Sequence, residues 1–207
     1  MDGEPTKRVV LALTLLLTGC VAERATSPAR TATEQLLIST AADRAAEKLA
    51  EQIPANIRVL LDTTYIDAPD GGYALLAIKD RFLRRGIALA DDRASADAIL
   101  EVRAGALSTD ERVTSLGTPQ LTLPIIPGVA AYNGFPVPAI NLFKRANTKA
   151  IAKFAATGYD PKTGKLVVAT DPQYGYSEKT DWVVLLFFAW TNEDYSERAV
   201  AEKQRAQ

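Results

Sequence analysis

The one thiol in this chain of 207 residues belongs to Cys20, and the sequence contains no histidine. A thiolate can act as a nucleophile or a metal ligand, but a single cysteine cannot form a disulfide within the chain. The usual zinc sites and the catalytic triads that need an imidazole base are excluded, because both require histidine or several cysteines. The residues around Cys20 must therefore indicate what its sulfur is for.

Carboxylates are the other groups with catalytic potential. Asp62 at the end of a predicted strand, and the pair Asp91 and Asp92, are candidates for a general acid and base, although adjacent Asp residues usually mark a turn. Asp67 and Asp70 lack the alternating acidic residues of a calcium loop. No phosphate loop, dinucleotide fingerprint or serine elbow is present. The sequence therefore predicts a protein that is not an enzyme and holds neither a metal nor a cofactor.

The residues before Cys20 have the order of a secretory signal. Two basic residues precede the apolar run Val9 to Leu17, which is too short to span a bilayer, and two small residues follow it. The sequence LTGC at 17–20 resembles the lipobox of bacterial lipoproteins. This resemblance implies cleavage before Cys20 and attachment of a diacylglyceryl group to its thiol. The alternative is a buried N-terminal element that contains an ordinary cysteine.

An acylated Cys20 would make the membrane a permanent partner of the protein. Each buried methylene of an acyl chain contributes about 0.8 kcal/mol of membrane affinity. In lipoproteins with this signal, Asp directly after the cysteine commonly marks retention in the inner membrane. Val21 stands there instead, so the resemblance implies an outer-membrane anchor with the domain facing the periplasm.

Composition limits the partners of the domain that follows. Lysine and arginine number 24 against 25 acidic residues, so no excess of positive charge favours nucleic acid. The chain is 47% hydrophobic and 24% charged, which is typical of a globular protein. Composition thus makes nucleic acid an unlikely partner, and the anchor that the lipobox implies indicates an envelope protein or a second copy of the chain instead.

The chain divides into a signal peptide (1–19), a lipidated tether (20–32), a single α+β domain (33–195) and a polar tail (196–207). Within the domain, periodicity predicts two helices that end near Gln52 and Gly86, and strands at 57–63, 87–90 and 96–107. A hairpin is predicted from 149–159 and 165–170 around the turn DPKTG. This order indicates a mixed sheet of about five strands with two helices packed on one face, which is a two-layer sandwich.

The stretches VLLDTTYID, LLAIKDRFLRRGIALADD, ADAILEVRAGAL and AATGYDPKTGKLVVAT, which lie between Thr33 and Thr170, are together similar to periplasmic domains of outer-membrane lipoproteins. These lipoproteins take part in flagellar and curli-secretion assembly. The resemblance implies an assembly accessory, but it rests on core and turn positions, and a fold does not fix an activity.

Two apolar segments are candidates for a contact surface. The proline-rich insertion 116–143 has no charged residue; it forms either a surface for membrane, lipid or protein, or an irregular cover over the sheet, which is favoured. The run 182–190 lies either at a membrane interface or, as its length favours, in the core. The candidate surface consists of Leu121, Leu123, Ile125, Ile126, Tyr132, Phe135, Trp182, Phe187 and Trp190.

The function expected from these features is binding without catalysis, as a scaffold or assembly accessory. The alternative is a carrier or transport auxiliary that holds an apolar ligand beneath 116–143. A hydrolase that uses Asp62 or Asp91 is a third possibility, and it requires one of them to meet another acid in a cleft.

Overall fold

The computed structural model describes residues 30–118, 121–123, 135–137 and 140–196, with the backbone alone for 121–123 and 135–137. The described helices are α1 (Ala32–Glu51) and α2 (Gly71–Arg84). The described strands are β1 (Arg58–Asp62), β2 (Ala88–Leu89), β3 (Ala98–Thr118), β4 (Leu121–Leu123), β5 (Phe135–Val137), β6 (Ile140–Tyr159), β7 (Leu166–Ala169), β8 (Gln173–Val184) and β9 (Phe188–Glu193). Within these ranges, no helix has both the length and the apolar character needed to cross a membrane.

Seven of the strands form one mixed sheet. Its order is β2-β1-β3-β6-β8-β9, and β7 also pairs with β6. β1 is parallel to both of its neighbours, and the remaining pairs are antiparallel. The parallel pair β1 and β2 is joined through α2, as a parallel connection requires a crossover. The short pair β4 and β5 forms a separate ladder.

The core lies between the two helices and one face of the sheet. α1 contributes a stripe of alanines and leucines, and α2 contributes Ile78 and Phe82, which are fully buried. Leu100 and Val102 of β3 and Phe154 of β6 meet them from the sheet. The small side chains of α1 allow a close approach, which is why a helix with so many alanines can cover the sheet.

Gly175 of β8 is the point of closest approach between α1 and the sheet. A Cβ atom built on this glycine would lie 1.9 Å from the carbonyl oxygen of Ala41 and 2.6 Å from the backbone nitrogen of Ala45. Only glycine leaves room for the helix backbone there. This contact also shows which face of β8 carries the helix.

A cluster of polar contacts fixes α1 to the end of β9. The guanidinium of Arg44 donates to the carboxylate of Asp194 at 2.6 Å and to the carbonyl oxygen of Tyr176 at 2.5 Å. Asp194 also accepts hydrogen bonds from the hydroxyl of Ser177 and the backbone N–H of Glu178. Burial opposes ionisation of Asp194, but these donors together hold its pKa below the usual value. This Arg44–Asp194 clamp joins the helix layer to the sheet.

The longest feature of the fold is the antiparallel pair β3 and β6, which have 21 and 20 residues. At about 3.3 Å per residue, strands of this length extend for roughly 65 to 70 Å. The ladder runs from Ile99 paired with Tyr159 to Thr118 paired with Ile140. The helices cover only its first half, since β3 is exposed at every residue from Asp110 to Thr118.

The predicted α+β sandwich is confirmed, with seven strands in the main sheet instead of about five. Both predicted helices are present, and so is the hairpin around Asp160, whose carboxylate accepts hydrogen bonds from the backbone N–H groups of Lys162 and Thr163. The strand predicted at 96–107 continues to Thr118. The signal peptide and most of the predicted tether and tail lie outside the described residues.

Candidate binding surface

The sheet has an open face on the side opposite the helices. Side chains alternate between the two faces of a strand, so Tyr174 and Tyr176 point away from α1 because Gly175 faces it. Both tyrosines are exposed, at 38% and 43%. The register of the ladders then places Lys153 and Ile151 of β6 beside them on the same face.

Three cations on β6 each lie over an aromatic ring on β8. The guanidinium carbon of Arg145 is 4.9 Å from the ring centroid of Trp182. The Nζ atoms of Lys149 and Lys153 lie 4.4 Å and 5.3 Å from the rings of Tyr176 and Tyr174. Contacts of this kind contribute about 0.5 to 1 kcal/mol each at exposed sites. We call these six residues the cation–aromatic ladder.

The ladder ends in a group of stacked rings. Trp182 is parallel to Trp190 across the β8–β9 pair, with centroids 5.8 Å apart and an interplanar angle of 8°. Phe143 meets the edge of Trp182 at 5.9 Å. Trp190 is 46% exposed, whereas Trp182 is half-buried. The two tryptophans therefore form a ledge on the open face, close to one end of the sheet.

Beyond this ledge, the end of the sheet is apolar and exposed. The apolar end consists of Leu116, Ile140, Leu142, Leu185, Leu186, Phe187 and Phe188, from β3, β6 and the β8–β9 hairpin. Phe187 is 85% exposed and Leu116 is 67% exposed. Single exposed apolar residues are ordinary, but a contiguous group of this kind indicates a contact surface.

The turn within the apolar end has an unfavourable backbone. Leu185 and Leu186 have φ values of 51° and 68°, in the left-handed region that glycine and asparagine tolerate best. This conformation costs roughly 1 to 2 kcal/mol per residue for other amino acids. The turn thus presents two exposed leucines where the fold alone would favour residues such as Asn and Gly.

Charge on the open face is graded along the strands. Next to the apolar end lie Trp182, Trp190 and Arg145, and the following level carries Arg112 and Asn147. Carboxylates of this face begin one level farther away. A groove of about 510 Å³ is lined there by Asp110, Glu111, Arg112, Thr114, Arg145, Asn147 and Lys149.

The opposite face of this region carries one carboxylate near the tryptophans. Asp181 forms an ion pair with Lys179 at 2.8 Å and accepts a hydrogen bond from Thr191 at 2.5 Å. Burial opposes ionisation of Asp181, but these contacts together with the charge of Lys144 lower its pKa. The ion pair of Asp181 and Lys179 thus lies on the face opposite Arg145.

The structure brings three of the predicted surface residues together. Trp182, Phe187 and Trp190 lie at the same end of the sheet, in β8, β9 and their turn. The expectation that 182–190 belongs to the core is wrong, because Phe187 and Trp190 are exposed. In the described part of the chain, Leu185 to Trp190 are exposed and form the turn and the first residues of the β8–β9 pair.

The remaining predicted residues are only partly described. Leu121 and Leu123 lie in β4 and Phe135 lies in β5, so their backbone positions alone are known. Cys20, Ile125, Ile126 and Tyr132 lie outside the described residues. The expected irregular cover is wrong for the ends of 116–143, which continue the regular β3–β6 ladder.

The cations of the cation–aromatic ladder were not predicted as site residues. Arg145, Lys149 and Lys153 follow each other at intervals of four, which places them on one face of a strand as well as on one face of a helix. That spacing was a usable signal once the segment was assigned as a strand. Their alignment with the β8 rings depends on the register between β6 and β8, which the sequence does not show.

The carboxylates considered for catalysis serve as acceptors in turns. Asp62 accepts hydrogen bonds from the hydroxyl and the backbone N–H of Thr64, which lower its pKa. Asp92 accepts from the backbone N–H of Ser95, and this bond likewise lowers its pKa. A general acid needs a raised pKa to hold its proton near neutral pH. These two groups have the opposite shift.

A second cavity of about 450 Å³ lies between the starts of the two helices. It is lined by Ala32, Gln35, Leu36, Ile38, Ser39, Ala42, Asp70 and Tyr73. The hydroxyl of Tyr73 donates to the carboxylate of Asp43 at 3.0 Å. Burial, together with the charge of Asp43, raises the pKa of Tyr73. The lining is mainly apolar, and the volume lies within the range of small-molecule sites.

Comparison with known proteins identifies a family for the chain but no function. A search of curated proteins finds no match to the chain. The sequence profile of DUF6655, described as a family of unknown function, matches residues 14–193, which include all the described helices and strands. The chain therefore belongs to this family of unknown function.

Proposed function

We propose that the protein is a lipid-anchored lipoprotein of the bacterial cell envelope whose periplasmic domain works by binding, as a scaffold or assembly accessory. The observation that carries the binding role is the part of the β3–β6 ladder from Asp110 onward, where β3 is exposed at every described residue and which lies beside the exposed apolar group. We call this part of the sheet the arm: residues 110–118 of β3, residues 140–149 of β6 and the adjoining end of the β8–β9 pair. The β3 and β6 residues of the arm contribute little to the core, and contact with something outside the domain would explain why they are present.

The anchor in this proposal rests on the sequence around Cys20. The apolar run, the small residues and the cysteine have the order of a lipoprotein signal. A chain held at the membrane surface can place its binding surface at a defined distance from the bilayer. The resemblance to assembly lipoproteins supports the same reading, and Val21 favours the outer membrane.

The anchor is tested by intact mass and membrane fractionation of the expressed chain beside a Cys20→Ala variant. We expect the wild type to lose residues 1–19, to gain acyl mass and to sediment with the outer membrane. The variant should show neither cleavage before position 20 nor acyl mass. A wild-type protein with a free thiol and an intact signal would contradict the proposal.

The cavity between α1 and α2 favours a second candidate, a carrier for a small apolar ligand. Its test is extraction of lipids and other small molecules from the purified protein, followed by mass spectrometry. A carrier should release a stoichiometric ligand that is lost in a Ser39→Trp variant, because the larger side chain would occupy the cavity. Recovery of no ligand would leave the scaffold role as the sole proposal.

A further inference from the structure

We propose that the apolar end of the sheet inserts into the phospholipid leaflet that holds the anchor, with Trp182, Trp190 and Arg145 at the depth of the headgroups. The proposal rests on the proposed function, since it takes Cys20 as the site of acylation. It adds a second membrane contact, made by the domain itself, and it identifies anionic phospholipid as the ligand of the open arm.

The order of side chains along the arm matches the order of chemistry across a membrane interface. The apolar end comes first, the Trp182 and Trp190 pair follows, and Arg145 and Arg112 lie at and behind it. Tryptophan is enriched at the headgroup level, and interfacial elements bury their apolar groups by about 5 to 10 Å. Leu185 lies three residues after Trp182, a distance of about 10 Å along an extended chain.

The charges of the arm favour an anionic surface. Arg112 and Arg145 lie nearer to the apolar end than Asp110 and Glu178, the carboxylates that flank Lys149 on the same face. Arginine binds phosphate through paired N–H donors. On the open face, a lipid phosphate at the depth of Trp182 would thus meet cations before it met carboxylates.

The start of α1 lies toward the same end of the molecule. Thr33 is hydrogen-bonded to Tyr195, which follows β9, whereas Gln52 at the other end of the helix accepts a hydrogen bond from the backbone N–H of Asp171. α1 is therefore antiparallel to β8, and its first residue faces the apolar end. Tyr195 lies two residues after Glu193, which pairs with Lys179, so Lys179 marks the level of the start of α1 along β8. Lys179 is about 20 Å from the β8–β9 turn.

The tether is long enough for both contacts to form on one bilayer. Residues 21–31 separate Cys20 from Ala32. An extended chain of that length spans about 40 Å, roughly twice the distance from the level of Lys179 to the turn. The acyl chains and the apolar end can consequently reach the same leaflet without stretching the tether.

The exposed leucines of the turn have no role in the described core. Leu185 and Leu186 adopt a left-handed backbone and are 56% and 49% exposed. A backbone conformation that is unfavourable for leucine, and that brings no packing contact in the described core, points to a functional site. Insertion into lipid would bury these side chains and supply the missing gain.

A second copy of the chain is a poorer occupant of this surface. A symmetric contact between two apolar ends would bring Arg112 and Arg145 of one copy toward the same residues of the other. Like charges that face each other across an interface oppose association. A bilayer with anionic lipid has the complementary charge.

The test uses the only two tryptophans of the chain, Trp182 and Trp190, as reporters. Acylated protein is reconstituted into vesicles of equal parts phosphatidylethanolamine and phosphatidylglycerol, with or without bromine on the acyl chains. Bromine quenches tryptophan only at short range. We expect brominated vesicles to reduce the wild-type fluorescence by about twofold, since the rings would lie at the headgroup boundary.

The matched variants exchange apolar residues for serine in two places. Leu186→Ser with Phe187→Ser should abolish most of the quenching, although the acyl anchor still holds the protein on the vesicles. Leu76→Ser with Leu83→Ser removes two comparably exposed residues of α2 and should leave quenching unchanged. Arg112→Gln with Arg145→Gln should lower quenching in these vesicles. Circular dichroism checks that each variant is folded.

Other outcomes overturn the inference. Equal fluorescence of the anchored wild type in brominated and plain vesicles would show that the apolar end does not enter lipid. A dimer that is lost in the Leu186→Ser, Phe187→Ser variant, without quenching, would assign this end to a contact between copies.

Failure of the anchor gives a different result. A chain without acyl mass that does not float with vesicles contradicts the proposed function. The same chain is then mixed with the brominated and plain vesicles directly. Quenching of the wild type but not of the Leu186→Ser, Phe187→Ser variant would support insertion without the anchor, and no quenching would overturn it.

Discussion

Asp194 shows how a single carboxylate connects the two layers of the domain. It accepts hydrogen bonds from Arg44, Ser177 and the backbone of Glu178, so from its position directly after β9 it contacts both α1 and β8. Its side chain is 18% exposed. Loss of the charge would leave the half-buried guanidinium of Arg44 without its ionic partner.

We predict that Asp194→Asn lowers the free energy of unfolding by about 2 kcal/mol at pH 7. The folded pKa of Asp194 is lowered, so its contribution is complete above the unfolded value of about 3.9 and is lost as the pH falls through the folded value. The difference between wild type and variant should therefore shrink below about pH 4. Urea denaturation at neutral and acidic pH measures it.

The control for this prediction is Asp80→Asn. Asp80 also has a lowered pKa, through its hydrogen bond with Arg84, but the pair is exposed on α2. We expect little change in stability, because exposed ion pairs are weak. Equal effects of the two substitutions at pH 7 would show that the Arg44–Asp194 clamp has no special role.

Gly175 gives a second prediction at the scale of one residue. Gly175→Ala places a methyl group against the backbone of Ala41 and Ala45, which cannot move without shifting α1. We expect the free energy of unfolding to fall by about 1 to 3 kcal/mol or more, as in other overpacked sites. Gly72→Ala is the control, since a Cβ there meets no atom within 4 Å. Thermal unfolding of both variants compares them, and similar melting temperatures would contradict the contact.

At the scale of elements, the sequence predicts the helices and strands that pack into the core, and it misses the strand residues that lie outside the core. Both helices and the hairpin around Asp160 have strong periodic or turn patterns, and all were found. The sequence predicts this strand only as far as Leu107, and the residues that follow, STDERVTSLGT, have no apolar face. They form a strand because β6 pairs with them from more than twenty residues away, and such pairing leaves no local pattern.

The same reasoning explains the assignment of 182–190. An apolar run of nine residues is buried in most domains, so the core was the natural expectation. Among the described residues, the run is half-buried from Trp182 to Val184 and exposed from Leu185 to Trp190, where it forms the β8–β9 turn and the start of β9. Of the candidate surface, the sequence found the two tryptophans and Phe187, but the cations beside them depended on register.

The arm should be the least stable part of the sheet. β3 is exposed on both of its faces beyond Asp110, and the β6 residues that pair with it are exposed or half-buried, so few apolar contacts hold these two strands together there. We predict that backbone amides of β3 near Thr114 exchange with solvent at least about tenfold faster than those near Leu100. Hydrogen exchange with mass spectrometry measures the difference. Uniform protection along β3 would contradict a separately opening arm.

At the scale of the whole molecule, α1 and the β3–β6 arm are arranged along one axis. The chain enters the domain at Ala32, at the start of a helix that runs antiparallel to β8. The helix-covered half of the sheet lies behind this entry point and the apolar end lies ahead of it. With an anchored Cys20, the polarity of the molecule relative to the bilayer would be set by the fold.

This arrangement has a mechanical consequence. Any force that drew the body of the domain away from an anchored N-terminus would pull α1 along its own axis and across β8. The contacts of Arg44, Lys48 and the alanine stripe with β8 would then bear load together, in shear, instead of separating one after another. If Cys20 is the anchor, tension on the N-terminus would be resisted by the packing of α1 on β8.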